Sequence, residues 1–149
     1  MDYDLLVIGS GSAAFAAGIE ARSLGASVAL IERETLGGTC VNVGCVPSKT
    51  LLAAADIRQR ARDHDFDGIT TSATDVDLGA LIDQKDKLVA GLRQAKYADV
   101  ASAHGIDILH GAARFTGEQS VLVDDRRAFR PGDSDCHRRR TRRAGNPWA

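Results

Sequence analysis

The pattern of apolar and polar residues predicts a strand, a helix and a second strand at the start of the chain. Residues 4–8 are continuously apolar after Asp4, as expected of a strand buried on both faces of a parallel sheet. Residues 13–24 are rich in small helix formers, and Gly25 stands where helices commonly end. Residues 27–32 repeat the strand pattern and end on Glu32. This order predicts an α/β fold built on a parallel sheet.

The same pattern predicts two helices and three strands further along. Residues 47–62 form one predicted helix, and a polar connector separates it from a second helix over residues 78–104, with Asp77 as its N-cap. Residues 106–111 predict a third parallel strand. Residues 114–115 and 120–123 predict antiparallel strands. The expected architecture is a parallel sheet carrying an antiparallel β-meander.

A glycine-rich turn joins the first strand to the first helix and reads Gly-Ser-Gly-Ser-Ala-Ala over residues 9–14. Gly9 permits a tight turn, Gly11 lets the backbone approach a pyrophosphate, and Ala14 is small enough for close helix–sheet packing. Glu32 would accept hydrogen bonds from an adenosine ribose. A tight βα turn without a ligand is the alternative, but the flanking strands and the terminal acid favour a dinucleotide site.

A second motif, Gly-Gly-Thr-Cys-Val-Asn-Val-Gly-Cys-Val-Pro-Ser-Lys, occupies residues 37–49. Pro47 suits the first turn of a helix, so Cys45 should lie at or just before a helix N-terminus, where the thiolate is favoured. Lys49 follows one turn later on the same face and adds positive charge. Cys40 and Cys45 as a structural staple would contribute only about 2 kcal/mol. A zinc site would need a second Cys/His pair at ligand spacing, so redox chemistry is favoured.

This motif resembles the redox-active disulfide segment of the pyridine nucleotide-disulfide oxidoreductases, which are two-chain flavoenzymes. The resemblance implies that the glycine turn binds FAD and that NADPH supplies the electrons. It implies that Cys45 is the thiol next to the flavin, forming the charge-transfer complex, and that Cys40 is the interchange thiol. Lys49 would lie near the flavin ring. The expected cofactor-binding residues are Gly9, Gly11, Ser12, Ala13, Ala14, Glu32, Gly38, Thr39 and Lys49, and the expected catalytic residues are Cys40, Cys45 and Lys49.

Within this family the chain is most similar to the mercuric reductases. The similarity lies in the turn over residues 9–14 and in the segments at residues 92–97 and 108–115. It implies reduction of Hg(II) to Hg(0), with Cys40 and Cys45 as transient metal ligands because soft thiolates suit this ion. Dihydrolipoamide dehydrogenase or another disulfide reductase of the family is the alternative.

The sequence carries one nucleotide fingerprint, and it shows no second one for NADPH and no dimerisation domain. We therefore expect a partial FAD-binding domain over residues 1–125 and a homodimer only for the full-length family member. The alternative of another class is an inactive truncated remnant that at most binds FAD.

The composition of the chain predicts its cellular location and argues against two classes of partner, membranes and nucleic acids. The 149 residues contain no apolar run long enough to span a membrane, and the acidic start is unlike a signal peptide. We therefore expect a cytoplasmic chain that acts on a small molecule or a metal ion and contacts neither membrane nor nucleic acid.

The last 24 residues differ sharply from the rest. Residues 1–125 hold 11 basic and 18 acidic side chains, whereas residues 126–149 hold 8 and 2. A basic, disordered tail that binds nucleic acid or acidic partners is one interpretation. A metal site at Cys136 and His137 is another, although two adjacent candidates make no site. We favour a frameshift product, because suitable codons shifted by one base encode Ile-Ala-Ile-Ala-Thr-Gly-Ala-Ala-Pro, which resembles the family's next flavin-domain motif.

Overall fold

The computed structural model describes residues 3–117, 120–124 and 127–129, and the fold is a three-layered α/β arrangement. Five helices and six strands follow one another in the described residues, with a π turn inside the last long helical segment. The helices are α1 Ser12–Ser23, α2 Gly38–Asn42, α3 Cys45–Arg62, α4 Leu78–Arg93 and α5 Asp99–His104, with the π turn Gln94–Ala98 between α4 and α5. The strands are β1 Leu5–Ile8, β2 Val28–Glu32, β3 Asp107–His110, β4 Ala113–Gly117, β5 Ser120–Val123 and β6 Arg127–Phe129.

The parallel sheet has the order β1-β2-β3, and the antiparallel meander has the order β4-β5-β6. In the central strand β2, Val28 and Leu30 belong to the core beneath the helices. Ala29 and Ile31 belong to a second core, which the meander covers through Val121 and Val123. The continuous apolar pattern of β2 is therefore explained by burial on both faces. The predicted fold class, a Rossmann-like α/β domain with a meander, is confirmed.

Several predicted boundaries needed correction. The helix predicted from Pro47 begins at Cys45, and the short helix α2 was not predicted. The single helix predicted over residues 78–104 is interrupted by the π turn, while its N-cap at Asp77 is confirmed by a hydrogen bond of 3.0 Å from the Ala80 amide. β6 pairs with β5 inside the range that the sequence assigned to a disordered tail. The rest of that predicted tail, with Cys136 and His137, lies outside the described residues.

Helix α3 is largely exposed to solvent. None of its residues is buried, and Leu52 and Ile57 are 66% and 71% exposed. Its contacts within the described chain run to α2 and α4. No helix in the described segments combines the length and apolar character needed to cross a bilayer.

Candidate functional site

An open cleft of about 590 Å³ lies where β1 and β2 end, at the edge of a parallel sheet where ligands of α/β folds commonly bind. Five predicted cofactor residues line it, and they come from the glycine turn, from the end of β2 and from the first turn of α2. They are Gly9, Gly11, Glu32, Gly38 and Thr39. Ser12, Ala13, Ala14, Cys40, Cys45 and Lys49 are not among its lining residues.

The two glycines of the turn, Gly9 and Gly11, differ in the reason why each position carries a glycine. Gly9 has a φ of +106°, which L side chains rarely adopt. Gly11 is the N-cap of α1 with a φ of −75°, and a Cβ built on it would meet no atom within 4 Å. The fold therefore makes no demand for glycine at position 11. A ligand that must approach the backbone there explains the residue, and a pyrophosphate fits that role.

The N-terminus of α1 also has the features of an anion-binding site. No side chain caps it, and its first turn carries no acidic residue. Ser12 and Ala13 lie in that turn and are exposed, so the amide groups of the turn remain accessible. Ala14 instead packs against the core beneath the helices. Uncapped amides and the partial positive charge of a helix end together favour phosphate groups.

Glu32 lies at the end of β2 and is held by hydrogen bonds to both carboxylate oxygens. The Ser10 hydroxyl donates to Oε2, and the Glu34 amide donates to Oε1 at 2.8 Å. Burial raises the pKa of the Glu32 carboxyl, but these hydrogen bonds outweigh it and lower the pKa overall. The carboxyl therefore stays ionised near neutral pH and keeps lone pairs for the hydroxyls of a ribose.

The two cysteines flank the turn between α2 and α3. Cys40 lies in α2 and Cys45 is the first residue of α3, and both are exposed free thiols. A hydrogen bond between the two side chains is the main reason that the pKa of Cys40 is raised, and the charge of Lys49 acts in the opposite direction. The predicted position of Cys45 at a helix start is confirmed, since it is the first residue of α3.

A close backbone contact joins the glycine turn to the cysteine segment. Gly38 has a φ of +69°, and a Cβ on it would lie 2.9 Å from the Cα of Gly11. Only a glycine permits this approach, because the contacted atom belongs to the backbone. The glycine turn that lines the cleft and the helix that carries Cys40 are therefore in close backbone contact.

Four residues to which sequence reasoning assigned no role support this arrangement. The buried Ser10 accepts a hydrogen bond from the Gly37 amide at 3.0 Å. The hydroxyl of Tyr97, in the π turn, lies 3.1 Å from the hydroxyl of Ser12. The rings of Tyr97 and Phe15 pack edge to face, with their centroids 5.1 Å apart. Asn42 and Arg93 join α2 to α4 at 2.9 Å. No periodicity reports such tertiary contacts, and the segment around Tyr97 is marked in the sequence only by its resemblance to the family.

Comparison with known proteins agrees with this geometry. The family model described as "Pyridine nucleotide-disulphide oxidoreductase" matches residues 3–130. The chain belongs to this family. A mercuric reductase from Lysinibacillus sphaericus is 53% identical over 123 residues, covering 83% of this chain and 22% of the relative. One from Streptomyces lividans is 55% identical over 114 residues, covering 76% and 24%.

Solved structures of flavoprotein disulfide reductases share the fold. The Cu(II) complex of the HOCl-induced flavoprotein disulfide reductase RclA from Escherichia coli has a TM-score of 0.71 at 27% identity, covering 88% of this chain and 27% of that one. The chain spans between a fifth and a quarter of the length of the two mercuric reductases, so it corresponds to one part of such an enzyme.

Metal binding by the cysteines remains a prediction. Within the described residues, no three His, Cys, Asp or Glu side chains are grouped closely enough to hold a metal ion. Cys40 and Cys45 alone offer two soft ligands, which suits a soft ion in transit better than a resident cofactor.

Proposed function

We propose that this chain is the FAD-binding portion of a flavin-dependent oxidoreductase in which Cys40 and Cys45 are the redox-active pair. One observation carries the proposal: two exposed thiols, Cys40 and Cys45, follow closely on Gly38, whose backbone contacts the glycine turn. A nucleotide site and a dithiol are thereby built from adjoining backbone. A structural staple would need neither the exposure of the thiols nor the neighbouring cleft.

Each part of the site has a task in this proposal. The amides at the start of α1 hold the pyrophosphate, and Glu32 accepts hydrogen bonds from the ribose hydroxyls. FAD, when bound, supplies the electron relay between NADPH and the thiols. Forming the Cys40–Cys45 disulfide releases two electrons and two protons from the thiols, and the reverse step takes them up. Lys49 stabilises the thiolate of Cys40 by its charge.

We infer that the substrate of the complete enzyme is Hg(II), because the relatives at 53% and 55% identity are mercuric reductases. The thiolates of Cys40 and Cys45 would hold the ion transiently. The complete enzyme would be a cytoplasmic homodimer, with its NADPH site in the part of the family member that this chain does not span. Disulfide reduction is the second candidate, and the likeness to flavoprotein disulfide reductases favours it.

Two measurements test the proposal on the chain itself. FAD titrated into the purified chain should be retained and quenched in fluorescence, and mild reduction of the oxidised chain should release two additional thiols. A chain that binds no FAD and releases no thiols would be the inactive remnant. Fused to the missing domains of a mercuric reductase, it should support NADPH oxidation on addition of Hg(II) with excess thiol. Activity on a disulfide but not on Hg(II) would favour the second candidate.

A further inference from the structure

Ser10 is a buried polar residue beside the cleft. Its exposed fraction is 1%, and among the described residues Ser10 alone is both polar or charged and buried. Its hydroxyl donates to the Glu32 carboxylate and accepts from the Gly37 amide at 3.0 Å. One buried group therefore joins the acid at the end of β2 to the backbone that precedes α2.

The two partners of Ser10 belong to different parts of the site. Glu32 faces the cleft, where it is placed to bind a ribose. Gly37 is the N-cap of α2, the helix that carries Cys40. A carboxylate, a hydroxyl and an amide in sequence polarise one another, so each hydrogen bond strengthens the next. These hydrogen bonds connect the carboxylate of Glu32 to the start of the helix that carries Cys40.

We propose that Ser10 is a positioning residue that couples occupancy of the ribose site at Glu32 to the rigidity of α2 and hence to the placement of Cys40. The coupling to a ligand rests on the proposed nucleotide site, whereas the hold of Ser10 on α2 does not. The close approach of Gly38 to Gly11 positions the backbone directly after Gly37. The amide of Gly37 itself is held by its hydrogen bond to the Ser10 hydroxyl, which is the bond that Ser10→Ala removes.

A ligand-free measurement tests the hold on α2. Hydrogen exchange followed by mass spectrometry reports the protection of residues 36–44 in the unsubstituted chain and in Ser10→Ala. We expect exchange in this segment to accelerate about tenfold in Ser10→Ala, because the Gly37 amide loses its acceptor. Exchange in β1 and β2 should change much less.

Ser27→Ala is the matched control. The Ser27 hydroxyl donates to Asp4 at 2.8 Å just before the start of β2, so this variant also loses a hydrogen-bonded hydroxyl beside the parallel sheet, but at the opposite end of that strand. It should leave residues 36–44 unchanged. Equal exchange in Ser10→Ala and the unsubstituted chain would overturn the proposal, as would equal acceleration of this segment by Ser27→Ala.

The second measurement adds ADP, which carries the ribose and pyrophosphate without a flavin. In the unsubstituted chain, saturating ADP should slow exchange at residues 36–44 several-fold. In Ser10→Ala, at ADP concentrations giving equal occupancy by calorimetry, that additional protection should be lost. Persistence of the protection would overturn the coupling while leaving the nucleotide site intact.

Failure of the proposed function would look different. If calorimetry detected no binding of ADP or FAD to the unsubstituted chain, the nucleotide site and the coupling to it would both be overturned. The ligand-free exchange would still decide whether Ser10 holds α2. A Glu32→Gln/Ser10→Ala double-mutant cycle on ADP affinity gives a further signature. The two losses should be non-additive, because Ser10 acts on the ribose through Glu32.

Discussion

The Nε of Arg93 lies 2.9 Å from the Oδ1 of Asn42, and this single bond ties the end of α4 to the helix that carries Cys40. The other end of the same amide donates to the carbonyls of Leu36 and Gly38 at 3.0 and 2.9 Å. Asn42 therefore fixes the turn before α2, the helix itself and the neighbouring α4 with one side chain.

Replacing Asn42 by alanine should lower the free energy of unfolding by about 1–3 kcal/mol, because it leaves an arginine and backbone carbonyls without their partner. Asn42→Asp is the informative control, since it keeps an acceptor for Arg93 but removes the donor to the carbonyls. Urea denaturation of the three chains measures the difference. If neither substitution changed the free energy of unfolding, the hydrogen bonds of Asn42 would not stabilise the packing of α2 against α4.

Gly38→Ala should destabilise the chain by at least about 1 kcal/mol, because its φ of +69° and the 2.9 Å approach to Gly11 both exclude a side chain. Gly91 is the matched control, since it lies in α4 and a Cβ placed on it would meet no atom within 4 Å. Gly91→Ala should instead stabilise the chain by about 0.5–1 kcal/mol. Thermal unfolding of both variants separates the two effects, and similar melting temperatures would contradict the prediction.

Gly11→Ala should have the opposite profile to Gly38→Ala. The backbone at Gly11 tolerates a side chain and a Cβ would meet open space, so the loss of stability should be smaller than in Gly38→Ala and limited to the poorer N-cap that alanine makes. FAD retention should fall sharply, because the methyl group occupies the place where the pyrophosphate approaches, and Gly11→Val should abolish it. Full flavin retention in Gly11→Val would show that the ligand does not lie against this turn.

The pH dependence of alkylation should report the contact between the two thiols. Because the hydrogen bond to Cys45 raises the pKa of Cys40, Cys45→Ala should lower the pH at which Cys40 becomes reactive. Lys49→Gln should raise that pH, since the lysine charge favours the thiolate. Iodoacetamide labelling between pH 6 and pH 10, with Cys136→Ser in every chain, follows the two shifts (the pH range spans the ordinary thiol pKa of about 8.5). Movement of either midpoint in the other direction would contradict the assignment.

The origin of the basic segment has a genetic test. We propose that the residues from about Arg127 to Ala149 come from a shifted reading frame, and resequencing the gene should reveal, in a second frame, coding for a nucleotide fingerprint and a dimer domain. If the downstream DNA encoded no such domains in any frame, the frameshift hypothesis would be wrong, and a basic segment that binds nucleic acid would become the favoured interpretation. A chain ending at residue 130 should keep the unfolding transition of the 149-residue chain, because the family match ends there.

The sequence predicted those features that depend on local pattern. The strand at residues 27–32 was recognisable because burial on both faces leaves a continuous apolar run, and Cys45 at a helix start followed from Pro47, which suits the first turn of a helix. The role of Ser10 was not predictable, since its partners are 22 and 27 residues away. The same holds for Tyr97, whose burial depends on the π turn and on contacts with α1. Leu52 and Ile57 fit a helical pattern, yet the described chain leaves them exposed.

The π turn at Gln94–Ala98 has a consequence for how this family can vary. A π turn accommodates one residue more than the α-helical path around it, so a single-codon deletion within it would restore regular helix. The segments on the two sides, α4 and α5, would keep nearly the same relative orientation, because a π turn absorbs its extra residue locally. Arg93 precedes the turn and would still face Asn42, whereas Tyr97 lies inside the turn and its side chain would be displaced. The helix itself therefore tolerates the loss of one residue here, and the cost of that loss falls on the contacts of Tyr97 with Ser12 and Phe15.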